Sequence, residues 1–207
     1  VFNDFNEAQR EKVIAGSNSA FSEVWWFYPS ATSEENDRYV VYNYLEKTWY
    51  FGNLSRTAWI DKGIEDDPTA ASAGFLYRHE VGNDDGSTNP VSSITSFIES
   101  SQIDIGDGDR FMFMRRVVPD LTFVGSTSDA PSANFTMKAR NFPGGNYLQS
   151  DENSVTRSAT SPVEQFTDQV FVRLRGRSFA VRVESTAQGT QWRFGAPRVD
   201  IRPDGRQ

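Results

Sequence analysis

The sequence has no cysteine and only one histidine, His79, among 207 residues. Without cysteine, disulfides, zinc–thiolate centres and cysteine nucleophiles are excluded from these residues. One imidazole excludes a multi-histidine metal site and leaves at most one histidine general base. No apolar run approaches the roughly 20 residues that a membrane helix needs. Basic residues are the minority, 21 Lys and Arg against 28 Asp and Glu, for a net charge of −7. A broad basic surface of the kind that grips nucleic acid is therefore excluded.

Aromatics are abundant, with 16 Phe, 7 Tyr and 5 Trp. That content, at this length, supports a sizeable core and excludes disorder as a description of the whole chain. Charge is unevenly placed. Residues 1–137 carry 10 basic and 21 acidic side chains, a net of −11, and residues 138–207 carry 11 and 7, a net of +4. An acidic front and a mildly basic back give neighbouring copies of one chain complementary fields. The opening VFNDFNEAQREK, which starts at Val1 and not at Met, reads as internal sequence: a fragment, a processed product or the ordered part of something longer.

One candidate helix, residues 4–14, starts at a good N-cap, Asp4, but its apolar spacing is loose. The competing reading is a loop leading to a strand at Lys12–Ala15. Strands are expected at Phe21–Tyr28, Arg38–Tyr44, Thr48–Gly52, Thr57–Asp61 and Phe75–Glu80. The second and third form a hairpin over 38–52, turning at Leu45-Glu46-Lys47. Trp25 and Trp26, being adjacent on a strand, point to opposite faces. This suits a strand buried on both sides at least as well as a stacking platform. Strand spacing of this kind suggests a propeller blade or a sandwich. The polar stretch 83–93 reads as a linker.

Beyond it, strands are expected at Ser93–Ile105, Arg110–Phe123, Asn134–Asn141, Gln169–Leu174, Ser178–Glu184 and Gln191–Ile201. Val170, Val172 and Leu174 alternate with Phe171, Arg173 and Arg175, and Phe179, Val181 and Val183 alternate with Ala180, Arg182 and Glu184. Residues 169–184 read as a hairpin turning at Arg175-Gly176-Arg177. The expected fold is all-β: propeller-like blade(s) over 1–82, the linker 83–93, and an antiparallel β-sandwich over 94–207.

Motifs that carry chemistry are few. Asp104, Asp107 and Asp109 sit among glycines, as do Asp84 and Asp85, but both stretches read as acidic turns before metal sites. Pro143-Gly144-Gly145 is a tight turn, with no phosphate-loop pattern around it. Glu23 beside Trp25 and Trp26 suits a glycan site, yet no second carboxylate can be placed opposite it. His79 next to Glu80 is not oriented by it, because strand neighbours face opposite ways. No catalytic, cofactor-binding or metal residues are assigned. Arg173, Arg175, Arg177 and Arg182 fall on shared strand faces, and read as inter-subunit ion-pair residues rather than as a phosphate stripe. Trp25, Trp49 and Trp59 read as packing residues between blades.

The stretches SEVWWFYPS, ENDRYVVYNYLEKTWYFG, RTAW and FIESSQIDIGDGDRFMFMRRVVPDL resemble the last part of the propeller in short-tailed bacteriophage tail nozzle and head-to-tail (packaged DNA) stabilisation proteins. The ending VRLRGRSFAVRVESTAQGTQWRFGAPRVDIRPDGR looks like their closing β-domain. The resemblance spans about Phe21 to Arg206. It implies a non-enzymatic virion tail component without a cofactor. It also implies a six-fold ring beside portal, adaptor and other tail proteins, passing double-stranded DNA without sequence-specific binding. Such a conduit is served by an acidic wall, which repels phosphate. A carbohydrate-binding or adhesin module built on Trp25, Trp26, Trp49, Tyr50 and Trp59 is the alternative, and a glycan hydrolase or lyase using Glu23 is a third reading.

Overall fold

The computed structural model describes residues 2–104, 108–142 and 157–205. The turn at 143–145, residues 105–107 with Asp107 of the acidic run, and Arg206 lie outside the described residues. The chain is all-β, built from antiparallel sheets, and none of the sheets among the described residues closes as a barrel. It divides into two compact units, Val1–Gly82 and Asn83–Gln207.

The candidate helix does not form as one. Phe2–Asp4 and Glu7–Lys12 are short 3-10 turns, the second kinked at Gln9 and capped by Asn6, whose side chain accepts from the Ala8 N–H at 3.1 Å. The second turn buries no residue, so no apolar stripe exists to hold a longer α-helix. The competing reading fares better: a strand, β1 (Ile14–Asn18), follows directly.

β1 opens a four-stranded meander with β2 (Glu23–Tyr28), β3 (Arg38–Asn43) and β4 (Thr48–Asn53), in the order β1-β2-β3-β4. The 38–52 hairpin forms as expected, with Arg38 opposite Asn53 and Asn43 opposite Thr48. Its turn places Lys47 at φ 58°. A three-stranded sheet follows, in the order β5 (Ala58–Ile60), β6 (Thr69–Ser72) and β7 (Phe75–Arg78). β6 was not expected, because Thr, Ala and Ser carry little strand signal. Trp25, Phe27 and Val41 form the small core of this unit, with Ile14, Tyr39, Leu54 and Trp59 against them.

In the second unit, residues 83–93 are not a free linker. β8 (Asp84–Asp85) pairs with β9 (Ser92–Ser93), and the Asp84 carboxylate accepts from the Gly189 N–H at 2.8 Å. One sheet runs β10 (Ser96–Glu99), β17 (Ser178–Ser185), β14 (Ser132–Arg140), β15 (Ser158–Glu164), with β11 (Ile103–Asp104) also on β17. A second runs β16 (Val170–Gly176), β12 (Met112–Val118), β19 (Arg198–Pro203). β13 (Leu121–Thr122) pairs with β18 (Arg193–Phe194).

The expected 169–184 hairpin is therefore absent. β16 pairs with β12 and β17 with β14, so the chain changes sheet at Gly176-Arg177. A one-residue connection cannot reverse a strand onto its neighbour, whereas hairpin turns need two residues or more. Both sheets turn their apolar faces to one core. Met112, Met114, Val117, Val170, Val172 and Leu174 enter from one, and Phe135, Met137, Phe179, Val181 and Val183 from the other. Gly176 sits at the corner because a methyl there would come within 3.1 Å of the Arg140 carbonyl oxygen. Each fully buried Phe contributes on the order of 1.5–3 kcal/mol.

Candidate functional site

Alternation in the meander gives its sheet two apolar faces. On one, Trp25 (β2), Val41 (β3) and Tyr50 (β4) lie side by side, with Gly16 of β1 next to Trp25. On the other, the row Trp26, Val40, Phe51 lies beside the row Val24, Tyr42, Trp49. Trp25 and Trp26 thus point to opposite faces.

The first face is covered within the chain. Trp59 of β5 lies flat on Trp25, with ring centres 5.2 Å apart and planes 13° apart. Tyr39 stacks on Trp25 at 4.9 Å, and Phe27 is 5.8 Å away. Trp59 donates its Nε1–H to the Ser17 carbonyl at 2.8 Å. Gly16 is required here, because the Trp59 indole occupies the space a side chain would fill.

Glu23 is buried beneath these rings. Its Oε2 accepts from Trp25 Nε1 at 3.0 Å and its Oε1 from the Tyr50 hydroxyl at 2.6 Å. Burial and this bond push the Tyr50 phenol well above its ordinary range. Both carboxylate oxygens serve aromatic side chains of the same sheet, so Glu23 is placed as an internal anchor, not as a group presented to a substrate. Glu80 accepts from Asn18 Nδ2 at 3.0 Å, and burial, then the nearby Glu23 charge, raises its carboxyl. His79 packs on Trp59 at 4.8 Å, and its Nε2 accepts from Arg56 Nε at 2.9 Å. Burial, then the Arg56 charge, lowers the imidazole to about 4. The ring is held neutral with its acceptor nitrogen occupied.

The second face is open at its β4 edge, while Val24, Trp26, Val40 and Tyr42 are half-buried. Trp49 is 63% exposed and Phe51 73%. Tyr42 and Trp49 lie 4.6 Å apart and Trp26 and Trp49 6.0 Å, so the rings form a continuous strip.

The four arginines read as one set are not brought together. Arg173 and Arg175 share the outward face of β16. Arg175 pairs with the Asp204 carboxylate and lies over the Phe111 ring at 4.0 Å. Arg177 sits at the corner, donating to the Asp109 carbonyl at 3.2 Å. Arg182 belongs to the other sheet, where it pairs with Glu184 at 2.7 Å and Glu99 at 3.2 Å and covers the Phe97 ring. Lys138 holds Glu99 from a second side at 2.9 Å and lowers its carboxyl. Trp25 and Trp59 are paired inside the first unit, whereas Trp49 faces outward.

Reading by residue type missed Arg115 and Arg116, which join Arg173, Arg198 and Arg202 on one sheet face. The MRR pair in strand 112–118 was their only local signal. Among the described residues no group of three or more His, Asp or Glu is placed to hold a metal ion, and no helix is long and apolar enough to cross a membrane. No protein-family model matches the chain, and no curated protein matches it.

Proposed function

We propose that this chain is a structural component of an assembly, in which a neighbouring sheet covers the Trp26–Trp49–Phe51 face. The observation that carries the reading is the two-faced sheet. One aromatic face is covered by Trp59 and its neighbours, and the equivalent face opposite is open. A four-stranded antiparallel meander with apolar residues on both faces is what a propeller blade requires, since each blade stacks between two others. The second unit fits a closing two-sheet sandwich, with one shared core and polar outer faces.

The sequence resemblance gives the assembly its identity: a tail nozzle or head-to-tail stabilisation protein of a short-tailed bacteriophage. In that role copies form a six-fold ring around the DNA channel, retain packaged DNA and pass it during ejection. The net charge of −7 supports passage without tight binding. The interior placement of Glu23 and the occupied Nε2 of His79 favour an architectural use of these groups over a chemical one. Electron microscopy of the purified chain and of particles that contain it tests the reading. Rings support it, and a chain that stays monomeric and is absent from virions removes it.

The exposure of Trp49 favours one second reading, a glycan platform, because sugar rings stack on such strips. Quenching of tryptophan fluorescence by host-surface polysaccharide that is lost in Trp49→Ala would support it. A flat titration would remove it.

A further inference from the structure

The sheet β16-β12-β19 turns Val172, Leu174, Met114, Val199 and Ile201 to the core and its other face to solvent. On that outer face stand Arg173 and Phe171 of β16, Arg115 and Arg116 of β12, and Arg198 and Arg202 of β19. A register shift between Met114 and Arg116 makes a bulge, which leaves both Arg115 and Arg116 exposed. Phe171 is 74% exposed and lies opposite Arg116. Arg116 donates to Gln169 Oε1 at 3.3 Å, and Asp200 lies opposite it on β19. Among the described residues none of these five arginines has an ion pair. Five like charges on one sheet face repel one another, and Asp200 opposite Arg116 offsets only part of that charge.

The chain carries a complement in its first unit. Loop 61–67 reads Asp-Lys-Gly-Ile-Glu-Asp-Asp. Asp61 is held by Ser17 and Ser19, and Asp67 pairs with Arg78 at 2.6 Å. Glu65 and Asp66 are exposed and, among the described residues, unpaired. Ile64 between these groups is fully exposed. An apolar tip flanked by carboxylates matches a surface on which an exposed Phe171 has Arg116 opposite it and Arg173 two residues along the same strand.

We propose that the outer face of the β16-β12-β19 sheet docks the acidic 61–67 loop of a second copy of this chain. The inference rests on the assembly reading above and names its contact. The exposed Ile64 favours this occupant over a nucleic acid, because it offers the exposed Phe171 an apolar partner that a phosphate backbone lacks. The first unit carries 7 basic and 13 acidic residues, a net of −6, whereas the second carries 14 and 15, a net of −1. Net charge repels either polyanion at long range, so the contact is carried by the local match of the outward arginines with Glu65 and Asp66. The contact is heterologous, joining different surfaces of successive copies, so it generates a ring where the rotation closes.

Sedimentation of the intact chain over a concentration series tests it, at low salt and at about 1 M salt, where the screening length falls to about 3 Å. Arg116→Glu with Arg173→Glu is expected to weaken self-association roughly tenfold or more at low salt, as is Glu65→Arg with Asp66→Arg. Circular dichroism of each variant is expected to match the parent. A mixture of the two variants is expected to regain association, because alternating copies restore complementary charge at every contact. Three results would overturn the proposal. If both variants associate like the parent while Trp49→Ser with Phe51→Ser does not, the assembly reading stands without this contact. If the parent is monomeric throughout, both readings go. If a short DNA duplex binds the parent but not the Arg variant, with self-association unchanged, the face serves a polyanion instead.

Discussion

Gly16→Ala isolates the stacking that closes the first unit. Gly16 has no positive φ, so alanine brings no backbone strain there. Its methyl would lie 2.7 Å from Trp59 Cγ and closer still to Cδ1. The indole is a rigid ring and must move. Moving it disturbs the stack on Trp25, which is worth about 0.5–1.5 kcal/mol. It also disturbs the Nε1–H bond to Ser17, worth about 0.5–1.5 kcal/mol. Replacing a strand glycine returns about 0.5–1 kcal/mol. The net is a loss of about 1–2 kcal/mol, or a fall of roughly 1 M in the urea midpoint. In a Trp59→Ala background the same change meets open space and is expected to be neutral or stabilising. The coupling between the two sites is therefore about 2 kcal/mol. Urea unfolding followed by near-ultraviolet circular dichroism of the tryptophans measures both quantities. An unchanged midpoint for Gly16→Ala, with the tryptophan signal intact, would refute the placement of Trp59 on β1.

Three further outcomes follow from the same geometry. Glu23→Ala leaves the Trp25 Nε1–H and the Tyr50 hydroxyl without their acceptor; a loss of about 1–3 kcal/mol is expected in urea unfolding, and no loss would mean that water replaces the carboxylate. His79, with its folded value lowered to about 4, is expected to stay neutral in an NMR titration until well below pH 6. Because the unfolded imidazole protonates first, near 6.5, its contribution to stability is full above that pH, falls between about 6.5 and 4, and is constant below; Arg56→Met is expected to shift the titration upward, and an ordinary midpoint in the parent would contradict the burial described. Phe179→Ala removes a fully buried ring from the shared core of the second unit and is expected to cost about 3–5 kcal/mol, checked by the same unfolding assay, with a loss below about 1 kcal/mol inconsistent with that core.

Local pattern carried much of the strand content and little of the pairing. The 38–52 hairpin was legible because alternation, β-branched and aromatic residues and a turn all fall within 15 residues. The opposed directions of Trp25 and Trp26 followed from the strand period alone. The change of sheet at Gly176 was not legible, since alternation on 170–174 and 179–183 specifies buried faces but not partners. Ser158–Glu164 was missed because its polar residues and Pro162 give no strand signal, although it pairs with β14 along its length. The same limit applies to function. The type of residue at Arg173, Arg175 and Arg182 was plain, but only the fold assigns Arg175 to Asp204 and Arg182 to Glu184 while leaving Arg173 outward. The arginine face needed β12 and β19, which are some 80 residues apart in sequence, to be placed side by side.

The open aromatic face is the centre of this account, and imaging the assembled chain tests it most directly. Electron microscopy of the purified protein, with averages examined for rotational symmetry, is predicted to give a closed ring in which a neighbouring sheet covers Trp26, Trp49 and Phe51. A particle that is monomeric at every concentration, or a ring that leaves those three side chains in solvent, would contradict it.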